Sequence, residues 1–411
     1  MKTVELTIDT IAAGGDGIAR ADDMVVFVPR TAPGDRVRVQ LEARKRFARG
    51  TIEEIVTPSP ARVDPPCRHY TADKCGGCQI QHLEYSAQLE AKRGIVRDAL
   101  TRIGKREVER PEIEASPDQW RYRTKLTMAM RRRRGGDWVI GLHPYDDPVR
   151  VFNVVDCPIT DERVLKVWQE VRDAREHFPP SDELRASVQL ADDGASIVVE
   201  GGNEWPKRSA FLAAVPTATS LWWKPTNRAR MLVAKREGRE AGASASFAQV
   251  NPGVGARLHQ YVLDRTRAHD PRIVVDGYAG SGATAIPLAR DGRRVVAIES
   301  DREAAAHCAA ELPEGSRAIA ERMEDAIAQA MPADVVLINP PRAGVHERVT
   351  ETLQTATPAP RAVIYVSCDP ATLARDLARM PRYQIASLRS FDMFPQTAHV
   401  ETVCELVLEA A

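Results

Sequence analysis

The sequence predicts an α/β protein whose C-terminal doubly wound sheet follows an N-terminal OB-like β-barrel and an α+β central domain. From about residue 272 onward, apolar strands alternate with helical stretches, which is the pattern of a parallel doubly wound sheet. The first part of the chain instead has closely spaced short strands separated by turns, the pattern of a small barrel. We therefore divide the chain into residues 1–57, 58–235 and 236–411.

The composition is that of an ordinary globular protein, with 43% hydrophobic and 28% charged residues among 411. Lysine plus arginine and aspartate plus glutamate both count 57, so overall charge does not by itself indicate a nucleic-acid-binding protein. No stretch approaches the roughly 20 apolar residues of a membrane span, and the N-terminus lacks a secretory pattern. We expect a cytoplasmic monomer that does not bind a membrane.

Each domain contributes recognisable elements. In the barrel segment, period-two alternation predicts a strand at residues 4–8, and short stretches between turns predict further strands at 24–28, 36–41 and about 48–56. In the central segment, the pattern predicts a helix over residues 83–103 and strands at 125–130, 138–142 and 196–199. In the C-terminal segment, strands are predicted at residues 272–276, 294–299, 333–339, 361–367 and 401–408.

A glycine-rich loop that includes Gly280 follows the first strand of the C-terminal segment. Glycines in this position let the backbone approach a nucleotide and expose the amides of a helix N-terminus. Glu299 ends the next strand, about 20 residues on, where an acid bonds ribose hydroxyls. Because the loop also fits the nicotinamide fingerprint loosely, an oxidoreductase is an alternative at this point.

Asn339 and Cys368 each stand at the carboxyl end of a predicted strand. In an open parallel sheet these strand ends form the ligand crevice, so both residues should face the crevice of the Gly280 loop. Most single cysteines are buried structural thiols. Cys368, however, precedes a helix that begins with Pro370, and a helix N-terminus lowers the pKa of a thiol. The position therefore favours a reactive thiol.

Three cysteines lie close together in the central segment, Cys67, Cys75 and Cys78, and Cys157 could supply a fourth thiolate. In a cytosolic protein of this size, clustered cysteines indicate a metal or catalysis before disulfides. Four thiolates suit either zinc or an iron–sulfur cluster, and the spacing leaves both open.

Basic residues concentrate at two places. Residues 119–136 contain seven basic side chains and no acid, with Trp120 and Tyr122 among them. The run Arg44-Lys45-Arg46, followed by Phe47, is a second patch on the barrel. Phosphate pairing combined with base stacking would bind RNA, whereas a solvated hairpin is the alternative.

Several segments resemble the bacterial RNA 5-methyluridine methyltransferases. The resemblance extends over nearly the whole chain and is most specific in its two C-terminal motifs. Residues 365–376, around Cys368, resemble the nucleophile motif, and residues 392–401 resemble a second signature that ends in the general base, Glu401. Residues 246–251 resemble the segment leading into the catalytic domain, residues 75–82 the cluster motif, and residues 1–57 the small barrel called TRAM.

This resemblance implies a class I methyltransferase fold and methylation of an RNA uridine at carbon 5. Cys368 would add to carbon 6 of the base, and Glu401 would remove the proton from carbon 5. S-adenosylmethionine would be bound by Gln249, Tyr278, Gly280, Glu299 and Asn339. A 4Fe–4S cluster would be held by Cys67, Cys75, Cys78 and Cys157. The barrel together with the cysteines favours 23S ribosomal RNA, with transfer RNA as the alternative.

Three positions differ from the family pattern. Asn339 stands where the family has aspartate, and Ala283 and Arg322 stand where it has asparagine. They support a further alternative, a non-catalytic RNA-binding protein with a degenerate methyltransferase domain. The presence of both Cys368 and Glu401 favours an enzyme, and a nicotinamide oxidoreductase would leave both residues unexplained.

Overall fold

The computed structural model describes residues 2–191, 194–236 and 249–409. The strands of these residues form three β-sheets. The strands are β1 Lys2–Thr7, β2 Thr10–Ile11, β3 Gly17–Ala21, β4 Met24–Val28, β5 Arg36–Ala43, β6 Ala48–Thr57, β7 Glu112–Glu114, β8 Lys125–Arg132, β9 Trp138–Leu142, β10 Phe152–Asn153, β11 Glu183–Ala191, β12 Gly194–Glu200, β13 Ala218–Lys224, β14 Met231–Lys235, β15 Ile273–Gly277, β16 Arg294–Ile298, β17 Arg317–Ile319, β18 Val335–Ile338, β19 Ala362–Ser367, β20 Tyr383–Phe391 and β21 Glu401–Leu408. The helices are α1 Arg68–Thr71, α2 Tyr85–Arg102, α3 Glu162–Asp173, α4 Arg208–Ala214, α5 Pro252–Ala268, α6 Ala285–Arg290, α7 Arg302–Glu311, α8 Met323–Ala330, α9 Glu347–Thr355 and α10 Pro370–Ala378, with a 3-10 turn at Arg175–His177.

The N-terminal sheet has six strands in the order β1-β5-β6-β4-β3-β2. Its first strand also contacts β3, near the other end of the order, so the sheet curls around its own apolar core. Alternation explains the strands: in β5, Val37 and Val39 are buried in that core while Arg36 and Arg38 are exposed. The sequence pattern missed β2 because it is only two residues long.

The central sheet has seven strands in the order β10-β9-β8-β11-β12-β13-β14. Helix α3 covers it because its apolar residues recur at helical spacing: Val164, Val167, Trp168 and Val171 are all buried. The Asp161 side chain caps this helix by accepting from the backbone N–H of Arg163. No helix among the described residues is both long and apolar enough to cross a membrane.

The C-terminal sheet has eight strands in the order β17-β16-β15-β18-β19-β21-β20-β7. Strands β15 to β19 pair in parallel, as expected for a doubly wound α/β fold. The sheet is not parallel throughout, however, because β21 lies antiparallel between β19 and β20. A loop rather than a crossover helix joins β20 to β21, and a connection of this kind gives antiparallel neighbours.

Two elements that lie within the predicted central segment, helix α2 and strand β7, join the C-terminal sheet, the helix by packing on it and the strand by pairing with it. Helix α2 contributes Val96 and Leu100 to the apolar core on one face of that sheet. Strand β7 pairs with β20 and extends the sheet's edge. The sequence pattern could not place β7 because three residues carry too little periodicity. Helix α2 and strand β7 therefore belong, by their packing and pairing, with the C-terminal sheet.

Candidate active site

A cavity of about 1620 Å³ opens at the carboxyl ends of the parallel strands. The expected crevice of a doubly wound sheet lies at this edge. The structure brings all the predicted catalytic and cofactor residues to its wall, namely Gln249, Tyr278, Gly280, Glu299, Asn339, Cys368 and Glu401.

The loop after β15 is shaped to receive a ligand. Tyr278 and Gly280 both have positive φ, at 61° and 55°. The Gly280 N–H donates to Glu299 Oε2 at 2.9 Å, and the Asp301 N–H donates to Glu299 Oε1 at 2.8 Å. A Cβ added at Gly280 would meet no atom within 4 Å, so its backbone borders open space. The loop and the acid thus fit a nucleoside ligand such as that of S-adenosylmethionine.

Asp276, at the end of β15, also lines the cavity, and the sequence argument assigned it no role. Burial raises the pKa of this carboxyl to about 7, although hydrogen bonds from the Thr284 hydroxyl and the Ala285 backbone oppose the shift. Its position at a strand end beside a glycine loop is the signal that could have identified it.

The remaining cofactor candidates approach from other sides of the cavity. Asn339, which follows β18, is exposed to the cavity, and its backbone N–H donates to Gly277 O at 3.3 Å. Arg322, which replaces a family asparagine, pairs with Glu324 at 2.7 Å. Gln249 begins the last described stretch, whereas residues 246–248 of the predicted segment lie outside the described residues.

Cys368 and Glu401 meet because of the antiparallel β21. Ser367, the last residue of β19, pairs with Thr402 of β21. The next residues beyond this pair, toward the cavity, are Cys368 on one strand and Glu401 on the other. Sequence separation alone could not reveal this juxtaposition, since it depends on the insertion of β21 beside β19.

The pKa of Cys368 is raised rather than lowered, so the sequence-based expectation was wrong. Burial is the largest cause, the negative charge of Glu401 adds to it, and Arg342 opposes both. Cys368 also lies one residue before the N-cap, Asp369, whose carboxylate accepts from the Thr372 backbone N–H of the first helical turn.

Glu401 is 8% exposed, and burial raises its pKa to about 7, with Arg342 opposing the shift. A carboxyl that titrates near neutrality can both accept and release a proton at physiological pH. Arg342 lines the same cavity and acts on both groups, but the sequence argument assigned it no role. It is the positive charge that favours the ionised forms of Cys368 and Glu401.

The four predicted metal-ligating cysteines are neighbours. Cys67 and Cys78 belong to one buried cluster, against which Cys157 packs, and Cys157 also packs against the core that contains Cys75. Burial raises the pKa of each thiol, that of Cys75 to about 11. Even so, within the described ranges no three histidine, cysteine, aspartate or glutamate side chains could hold a metal ion as they stand.

The surroundings of these cysteines fit a negatively charged centre. The backbone N–H of Gly77 donates to the Cys75 sulfur at 3.4 Å. Arg30 reaches over from the barrel, donates through Nη2 to Cys75 O at 2.7 Å and stacks 3.3 Å from the centre of the Tyr70 ring. Its Nη1 is buried without a hydrogen-bond partner among the described residues. A half-buried cation with a buried, unused donor beside Cys67, Cys75 and Cys78 suits thiolates bound to metal.

In the predicted RNA-binding segment, residues 119–136, some side chains are exposed and others pack against the rest of the chain. Tyr122, expected to stack on bases, is only 5% exposed, and its hydroxyl donates to Pro395 O at 3.0 Å. The Arg121 guanidinium forms an ion pair with the Asp156 carboxylate at 2.7 Å. The expectation for Tyr122 was therefore wrong, because its side chain is enclosed beside the cysteines. Phosphate binding by Arg121, whose side chain is 37% exposed, stays a prediction. Residues 132–134 and 44–46 remain exposed.

A group of cations lies where the central sheet borders the cavity. Thr124 lines the cavity, and Lys125 beside it is half-buried. Burial lowers the pKa of Lys125, and three nearby arginines lower it further, namely Arg230, Arg123 and Arg185, whereas Glu200 opposes the shift. Such a concentration of positive charge favours a polyanion at the cavity entrance.

Comparison with known proteins gives consistent matches. Residues 226–410 match the family described as tRNA (uracil-5-)-methyltransferase, and residues 1–52 match the TRAM domain. Uncharacterized RNA methyltransferases of Porphyromonas gingivalis and Thermosynechococcus vestitus are 34% and 32% identical, over 98% of this chain and 99% and 98% of theirs. In fold, the chain resembles the Pyrococcus abyssi tRNA (uracil-54, C5)-methyltransferase, solved with S-adenosyl-L-homocysteine. The TM-score is 0.69 with 21% identity, covering 98% of this chain and 100% of that one.

Proposed function

The chain belongs to the RNA uracil-5-methyltransferase family, and from this membership we propose that it methylates a uridine through a covalent adduct between Cys368 and carbon 6 of the base. It is an S-adenosylmethionine-dependent enzyme. The observation that carries the adduct proposal is the juxtaposition of Cys368 and Glu401 at the wall of one cavity. The cofactor supplies the methyl group when it is bound.

The chemistry needs both residues because carbon 5 of uracil is a poor nucleophile. The Cys368 thiolate forms a bond to carbon 6, and the electrons of the carbon 5–carbon 6 double bond move into an enolate. Carbon 5 would then take the methyl group while still carrying its proton, as the sulfur–methyl bond breaks and its electron pair stays on the sulfur of the departing S-adenosylhomocysteine. Glu401 removes that proton, the double bond re-forms, and the bond from carbon 6 to sulfur breaks. Arg342 favours the thiolate and the carboxylate that these two steps require.

Glu299 is proposed to bind the ribose of the cofactor while it holds the Gly280 loop. We expect Glu299→Gln to weaken S-adenosylmethionine binding about 10- to 100-fold, since a hydrogen bond to a charged group contributes roughly 1.5–3 kcal/mol. Equilibrium binding in the absence of RNA measures the effect. Glu303→Gln, an exposed change on α7, is the control and should leave binding unaltered. Equal affinity for Glu299→Gln and the parent would contradict the assignment.

We propose 23S ribosomal RNA as the substrate, because the combination of barrel and cysteines resembles the ribosomal members. The cations around Lys125 and the exposed basic residues on two accessory domains would hold the RNA backbone. A uridine must then be turned out of its stack to reach Cys368. Incubation with labelled S-adenosylmethionine and separate RNA pools, followed by mapping of the modified base, tests this. Label confined to transfer RNA would overturn the ribosomal assignment alone, and label on any other base would overturn the chemistry.

We further propose that Cys67, Cys75, Cys78 and Cys157 hold a 4Fe–4S cluster. Their mutual proximity, the N–H donor to Cys75 and the half-buried Arg30 support a multiply charged centre. Because the methyl transfer involves no net oxidation or reduction, a structural role fits better than a redox role. Elemental analysis for iron with acid-labile sulfide against zinc distinguishes the two kinds of centre.

A further inference from the structure

The loop that precedes Glu401, residues 392–400, is here called the base loop, and it is held at its start by helix α2. Lys92 and Asp392 form an ion pair in which both side chains are fully buried. The Tyr85 hydroxyl donates to Asp392 Oδ2 at 2.7 Å, and Lys92 Nζ donates to Phe394 O at 3.0 Å. These charged contacts fix the first half of the loop against a helix from another part of the chain.

The middle of the base loop is held through Gln396, which has a positive φ of 71°. The Gln396 N–H donates to Gln88 Oε1, and Gln88 Nε2 donates to Gln396 Oε1, both at 2.9 Å. The backbone conformation is uncommon for a residue with a side chain, so it persists because its neighbours specify it.

The last part of the base loop is held by the cysteine loop, residues 75–80. The Ile80 N–H donates to Gln396 O at 3.2 Å. The Ala398 N–H donates to Gln79 Oε1 at 3.3 Å, and Gln79 Nε2 donates to Gly76 O at 2.8 Å. The Gln79 side chain therefore bridges the two loops. Gln79 follows Cys78 in the cysteine loop, and its partner Ala398 lies three residues before Glu401 in the base loop.

The barrel packs closely against Gln79 and Ala398. Gly15 has a φ of 87°, and a Cβ added there would lie 2.4 Å from Gln79 Cβ and 3.4 Å from Ala398 Cβ. Ile80 and Ala398 also share one buried apolar cluster with residues of the barrel. The Gln79 side chain therefore has little freedom to move, and the same holds for the Ala398 backbone N–H that donates to it.

We propose that Gln79 is a positioning residue for Glu401, acting through the base loop, so that the shape of the cysteine loop sets the geometry of proton removal. The inference rests on the proposed function, because it takes Glu401 as the base. The cysteine loop would then serve the step that releases the product and not the step that forms the adduct. A misplacement of about 1 Å at a reacting group can cost 100-fold in rate.

The test compares Gln79→Met, which keeps the length but removes the acceptor, with Gln79→Glu, which keeps an acceptor for the Ala398 amide. With ordinary uridine RNA under single turnover, Gln79→Met should accumulate the protein–RNA adduct and release product about 10- to 100-fold more slowly. Because Gln79→Glu keeps the acceptor for Ala398 but loses the donor to Gly76 O, it should restore release in part and so be faster than Gln79→Met. RNA carrying 5-fluorouridine, which has no proton at carbon 5, should trap all variants at the parent rate. Glu84→Gln, an exposed change at the start of α2, is the matched control.

Two further measurements separate the possible failures. Iron and sulfide content, measured on each variant, should equal that of the parent, which shows that the cysteine centre is intact. If Gln79→Met slowed trapping by 5-fluorouridine RNA as much as it slowed product release from uridine RNA, the positioning role would be overturned. The same holds if it slowed neither. If Glu401→Gln itself accumulates no adduct, the assignment of the base fails, and that failure is distinct from a failure confined to Gln79.

Discussion

Replacing Cys368 with alanine is expected to abolish methyl transfer while RNA binding persists. The thiolate is the group that makes carbon 5 nucleophilic, so without it the remaining residues can bind both substrates but cannot activate the base. Loss of a covalent nucleophile in other enzymes lowers turnover by roughly 10⁴- to 10⁶-fold, and we expect a loss in that range. Transfer of label from S-adenosylmethionine to RNA measures it.

The matched control is Cys404→Ala, which removes a buried thiol from β21, three residues beyond Glu401. We expect this variant to methylate RNA at close to the parent rate, although a small cavity will lower its stability. Gel-shift binding of Cys368→Ala to the same RNA should match the parent. Substantial labelling of RNA by Cys368→Ala would refute covalent catalysis even if the uridine were still the product.

Much of this site follows from strand ends that the sequence pattern identifies. Asn339 and Cys368 come directly after apolar runs, and parallel strands bring their carboxyl ends to one edge. The pairing of Cys368 with Glu401 is different, because it depends on β21 lying antiparallel beside β19. From the sequence, only the resemblance to a known family joins the two residues.

The sequence pattern failed where a residue's role depends on distant burial. Tyr122 lies in a basic segment, yet it is enclosed beside the cysteines and bonds to the base loop. The raised pKa of Cys368 has the same origin, since local position predicted a lower value and burial beside Glu401 reversed it. A lysine in a helical pattern is expected at the surface, yet Lys92 is fully buried against Asp392, which is 300 residues away in the chain. Composition and spacing carry no information about such partners.

Replacing Glu401 with glutamine is expected to separate adduct formation from product release. The amide cannot accept the proton from carbon 5, so the methylated base should stay joined to Cys368 as a protein–RNA adduct on denaturing gels. Removing the charge that raises the pKa of Cys368 should also increase the thiolate fraction at neutral pH. The adduct should therefore form at least as fast as in the parent. We expect release to fall roughly 10²- to 10⁴-fold, the usual contribution of a general base.

The parent enzyme should show the same separation as a function of pH. The pKa of Glu401 is about 7, above the ordinary 4.5, so the carboxyl is protonated and unable to act as a base as the pH falls below 7. Product release should thus decline toward acid and level off above pH 7, whereas this dependence should vanish in Glu401→Gln. Glu409→Gln, an exposed change near the end of the same strand, should keep the parent profile. An unchanged acid limb in Glu401→Gln would assign the titration to another group, and Asp276, with a pKa of about 7 in the same cavity, would be the first to examine.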